Sequence, residues 1–140
     1  MPTPYDALMR LRQREVDDLR IAISVQIDQL VSIENRHTVI NAALAQAQDV
    51  TASEVLLNTQ SYMARLRAER DAVTNNRKMA GARLSQLRDN AVEAYGALRA
   101  IHSAADDYRS DVERSAAQAD QAFIDDLVGG RGSRRPQRRR

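Results

Sequence analysis

Few residues of this chain have the type and spacing that chemistry needs. Glu34 and His37 stand three apart, the arrangement that carboxylate-bridged two-metal bundles use. Such a centre takes one Glu-x-x-His pair from each of two helices and a further glutamate from each of two others. The only other histidine is His102, and Arg99 stands where its glutamate would have to be. The second pair is therefore missing, and His37 reads as a polar residue tolerated among apolar neighbours. The doublets Asp17-Asp18, Asp106-Asp107 and Asp125-Asp126 do not converge on a ligand either, since adjacent residues of a helix point about 100° apart. There is no cysteine, so thiolate ligands and disulfides are excluded, which fits a reducing compartment. No glycine-rich phosphate loop, nucleophile triad or cofactor motif occurs. The expectation is a protein without catalytic, cofactor-binding or metal-binding residues, that is, not an enzyme.

The elements that carry these residues explain why no pocket is expected. Between Tyr5 and Val128 there is no proline, and the only glycines are Gly81 and Gly96. Apolar residues recur in steps of three and four. One frame runs through Met9, Val16, Leu19, Ile23, Leu30, Ile33, Ile40, Leu44 and Ala47, with Arg12, Gln26 and His37 as polar exceptions. A second runs from Leu56 through Met63, Leu66, Val73, Ala80, Leu84, Leu98, Ala105 and Val112 to Ala122, interrupted by Thr59, Arg70, Arg77 and Ser115. A 3.5-residue repeat held this long specifies a left-handed coiled coil. The polar seam residues weaken such a pairing while fixing its register. The arginine stems can lie along apolar surface with their heads in water.

Composition agrees. The chain of 140 residues has no tryptophan, one phenylalanine (Phe123) and four tyrosines, so its interior is a thin aliphatic strip. No apolar run approaches the roughly 20 residues that span a bilayer, and the N-terminal stretch does not read as a secretory signal. The net charge of +2 conceals three zones. Residues 1–96 balance twelve cations against twelve anions, residues 97–128 carry three arginines against seven acids, and residues 129–140 carry six arginines and no acid. The arginine-rich tail suggests phosphate affinity or attraction to an acidic protein or anionic membrane surface. The rest of the chain is net −4 and lacks aromatics spaced for base stacking, which argues against nucleic acid as a partner.

The reversal is expected at 49–52, with a continuous kinked helix as the alternative, since no glycine or proline enforces a turn there. Thr51 and Glu54 have capping-box spacing, and Val50 and Val55 sit where a hydrophobic staple would close. The fold class is thus all-α: an antiparallel two-helix coiled-coil hairpin over 1–128, with helix one at 5–48 and a longer helix two at 53–128. A disordered basic tail is expected over 129–140, opened by Gly129-Gly130. A turn there pairs residues whose numbers total about 100, so a stretch of roughly 1.5 Å per residue over 97–128 overhangs without a partner. An unpaired helix that keeps an apolar stripe has somewhere to put it. Leu98, Ile101, Tyr108, Val112, Phe123 and Leu127 are the candidate docking residues of that overhang.

The layout resembles the FliJ family, the soluble coiled-coil component of the bacterial flagellar type III protein export apparatus. The opening Leu8-x-x-Leu11-x-x-Arg14-Glu15-Val16-Asp17 is similar to the family's start. The stretch Tyr62-Met63-Ala64-Arg65-Leu66 resembles its aromatic-x-x-x-Leu start to helix two, and Phe123-Ile124-Asp125-Asp126-Leu127 its acidic close. The resemblance implies a hairpin like the central stalk of rotary ATPases, with its terminal end in the pore of the export ATPase hexamer. The tip would face the cytoplasmic domain of the membrane export gate, with Tyr62 and Leu66 as gate-binding residues, while Glu69 and Val73 depart from the family pattern. Residues 97–128 would face the ATPase. Export chaperones are further implied partners, and the implied location is cytoplasmic, peripheral at the inner face of the cell membrane through partners. The equivalent stalk of an injectisome has the same layout, and a generic oligomeric coiled-coil scaffold with an Arg-rich tail is the other reading.

Overall fold

The computed structural model describes residues 1–53 and 57–132, and the side chains of residues 1–50 and 59–130. The chain is an all-α helical hairpin with a longer second helix. Helix α1 spans Asp6–Ser53 and α2 spans Leu57–Gly132, 48 and 76 residues. Two units of chain are distinguished: Gln13–Tyr95, and Met1–Arg12 together with Gly96 onward.

Within Gln13–Tyr95 the helices run antiparallel along the expected seam. Val16, Ile40, Leu44 and Ala47 of α1 and Met63, Leu66, Val73, Ala80, Leu84 and Ala94 of α2 are buried. Ile40, Leu44, Leu66 and Val73 form one cluster, with Ile33 and Ala43 packed against it. Gln26 is a buried polar member: its Nε2 donates to the Ala80 carbonyl at 3.4 Å. A buried amide in an apolar seam disfavours any pairing that would leave it without an acceptor. Outside the seam, Arg36 Nη2 donates to Glu69 Oε1 at 2.7 Å and Arg77 lies 3.5 Å from Glu34. Arg20 Nε donates to the Tyr95 hydroxyl at 2.6 Å, its guanidinium lying 5.4 Å from the ring centroid. Exposed pairs of this kind contribute about 0–1 kcal/mol each, so they mark the register more than they hold it.

These contacts correct the expected turn. Positions 49–52 are helical, because α1 continues to Ser53. Arg36, Glu34, Gln26 and Arg20 each meet a residue five or more positions further along α2 than a turn at 49–52 would place it. The physical reason is that Gln48–Ser53 contains no glycine or proline, so nothing stops the helix there. Thr51 therefore does not start a helix; Glu54 and Val55, the other halves of the proposed cap and staple, lie outside the described residues.

At the other end the helix also outruns expectation. Gly129 and Gly130 lie inside α2, and no described glycine has positive φ. Glycine ends helices by adopting the left-handed conformation, and without that geometry it is simply a weak helical residue. The expected disordered tail falls, from residue 133 onward, outside the described residues.

The start of α1 carries one half of a capping box, in which the carboxylate reaches back to the capping amide. Thr3 Oγ1 donates to Asp6 Oδ1 at 2.7 Å, the Thr3 amide donates to Asp6 Oδ2 at 3.1 Å, and the Asp6 amide donates back to the Thr3 carbonyl at 3.2 Å. Pro4 follows the cap, where its missing amide proton is not needed. The hydroxyl and amide of Thr3, with smaller help from Arg109 and Arg10, hold the Asp6 carboxyl below its ordinary value of 3.8. A lowered carboxyl contributes stability that is present above the unfolded-state value and lost as pH falls through the folded one. Amide protection of Met1–Arg12 is therefore expected to stay constant at neutral pH and to drop as pH falls below about 3.8. In Asp6→Asn that acid step should disappear.

Candidate partner-binding surfaces

The groups singled out for chemistry are engaged structurally. Glu34 pairs with Arg77, and His37 Nδ1 lies 3.3 Å from Asn41 Nδ2 on the same helix. Among the described residues no three histidine, aspartate or glutamate side chains converge as a metal site. No helix among them is long and apolar enough to cross a membrane. What remains is surface.

The first surface lies on α2 beyond its pairing with the N-terminal segment. In the unit of Met1–Arg12 and Gly96 onward, Ala105 is fully buried, Leu98 is buried and Ile101 half-buried. Arg109 marks the end of the pairing: its Nε donates to the Met1 carbonyl at 3.4 Å while Nη1 bonds Asp106 at 3.1 Å. Every residue from Ser110 to Gly130 is exposed. The free segment thus begins near 110 rather than 97, because the later reversal shifts every facing pair toward the C-terminus. Leu98 and Ile101 belong to the paired part and are not available for docking. Tyr108, Val112, Phe123 and Leu127 are exposed.

Sequence reasoning overlooked Ile124 and Val128, which are also exposed. They fall outside the heptad frame, but they directly follow Phe123 and Leu127 and, like them, stand at i, i+4 spacing, which was the available signal. Over 110–130 the charge is five carboxylates against Arg114 alone, net −4.

The second surface is near the reversal. Tyr62 is 44% exposed. With Ala43, Gln46, Ala47, Val50 and Thr59 it lines an open cleft of about 380 Å³. Leu66, the residue coupled to it by the resemblance, points elsewhere: it is buried in the cluster with Ile40, Leu44 and Val73. Four residues advance a helix by about 400°, so Tyr62 and Leu66 are only about 40° apart, and the edge of a narrow seam falls between them. Glu69 is held by Arg36 and Val73 is in the core. Of the two residues that the resemblance marks, Tyr62 alone is presented outward.

No family model, no curated protein and no solved structure matches this chain.

Proposed function

We propose that this chain is a non-enzymatic coiled-coil stalk of a bacterial flagellar type III protein export apparatus. In this reading it couples the export ATPase ring to the membrane export gate, working in the cytoplasm at the inner face of the membrane, and engages export chaperones. The observation that carries the reading is the unequal hairpin whose second helix continues, exposed at every residue from Ser110 to Gly130, with Val112, Phe123 and Leu127 on it. A helix that long with large apolar residues in water is what a subunit inserted into another protein requires. The three short motifs at Leu8–Asp17, Tyr62–Leu66 and Phe123–Leu127 support the same assignment.

The test is binding of the purified full-length chain to an export ATPase hexamer, compared with a chain ending at Arg109. The expected result is measurable affinity for the full chain and its loss, by about tenfold or more, in the shortened one. The remaining helices should keep their circular dichroism per residue. Equal binding by both chains would remove the reading. So would light scattering that showed a parallel dimer or trimer, which is the outcome of the generic scaffold.

A further inference from the structure

The free end of α2 departs from the heptad in a way that specifies its partner. Ile101, Val112 and Phe123 are spaced by 11, as are Ala105, Ala116 and Leu127, and Tyr108 and Ala119. An 11-residue repeat is about 3.67 residues per turn, so its stripe runs straight or with a slight right-handed drift rather than left-handed. On a regular helix Tyr108, Val112, Ala116, Ala119, Phe123 and Leu127 fall within an arc of about 100°. Glu113 and Asp120 run along one edge of that arc, and Asp111 and Asp126 along the other. Asp111 is paired on its own helix with Arg114 at 3.7 Å, and Asp125 accepts from Gln121 at 3.0 Å. Glu113, Asp120 and Asp126 have no ion-pair partner among the described residues.

One edge of the apolar track is therefore anionic at Glu113 and Asp120, and the other at Asp126. A second copy laid against it would bring carboxylate edges onto carboxylate edges, and like-charge juxtaposition across an interface opposes association. The chain's own cationic tail offers no apolar track of its own, since residues 131–140 contain no apolar residue. We propose that this face docks an amphipathic helix of another protein, lying straight along it, whose apolar track is edged with arginine or lysine. The inference deepens the stalk reading and rests on it for assigning docking to this segment.

The test uses the full-length chain and two designed helical peptides of about two 11-residue repeats. Both carry a leucine track; one is edged with arginine and the other with glutamate. The arginine-edged peptide is expected to bind, and the glutamate-edged one not to. Affinity should fall by about tenfold or more in Glu113→Lys/Asp120→Lys and in Phe123→Asp. It should also fall between about 50 and 500 mM salt. All three positions are exposed, so these variants keep the fold. Equal binding of both peptides, or unchanged affinity after charge reversal, overturns the inference. So does a concentration-dependent dimer that Phe123→Asp abolishes. If the charge-reversed chain still binds the export ATPase fully, the inference fails and the stalk reading stands. If the peptides behave as expected and the ATPase does not bind, the stalk reading fails and the docking face stands.

Discussion

Replacing Leu66 with alanine is expected to lower the stability of the hairpin by about 3 kcal/mol, and Leu66→Asp to open the helix pair around Ile40, Leu44 and Val73. Leu66 is 9% exposed and contacts the Ile40, Leu44 and Val73 cluster, so its truncation leaves a void that two straight helices close poorly. A buried carboxylate there would have no donor in an aliphatic cluster. Tyr62→Ala, one turn away but outward, should change stability by no more than about 0.5 kcal/mol. Urea midpoints of the two variants, read by circular dichroism, measure the contrast. In the stalk reading the same pair separates folding from binding: Tyr62→Ala should weaken the gate contact. The volume-conserving Leu66→Met should leave it unchanged, because the leucine faces the other helix. Equal stability losses for Tyr62→Ala and Leu66→Ala would show that the tyrosine is also a core residue.

The second large effect is expected from the opposite change, adding volume. Ala105 has 0% exposure in the unit formed by Met1–Arg12 and Gly96 onward. A leucine there has no room unless the segments separate, and overpacking of this kind costs about 1–3 kcal/mol. Hydrogen exchange should show the loss at Met1–Arg12, whose amides would exchange as in an unpaired helix end. Ala117→Leu is the matched control, since Ala117 is exposed on the free part of α2. It changes the same side chain in the same helix and should shift stability by no more than about 0.5 kcal/mol. Unaltered protection at Met1–Arg12 in Ala105→Leu would mean that the N-terminal segment does not depend on this contact.

Helical content, two-helix topology and the seam were legible because a long heptad is redundant. Every expected inside position of α1 from Met9 to Ala47, including Arg12, Gln26 and His37, is buried or half-buried. In α2 the frame holds from Met63 to Ala105 with Arg77 as the exposed exception, since its charge reaches Glu34. The register was less legible. It depends on one local event, the reversal, and Thr51–Glu54 offered a capping pattern that the continuing helix did not use. That error propagated along the pairing and moved the predicted free segment back over Leu98 and Ile101. The real N-terminal cap was written as Thr3-Pro4-Tyr5-Asp6, with aspartate in the place where glutamate is more usual. Which residues of a stripe face inward is decided by period alone, whereas which stripe has a partner depends on where the chain folds back.

Among the described residues the seam of Gln13–Tyr95 is a narrow strip of buried side chains running through Val16, Ile40 and Val73. Each residue of such a strip depends chiefly on its immediate neighbours, so cohesion passes along it as along a zip fastener. Opening should advance from a frayed extremity instead of occurring everywhere at once. A melting curve of this molecule would then broaden, and probes set at successive turns would report different midpoints. Pulled or twisted along its length, it would yield by degrees.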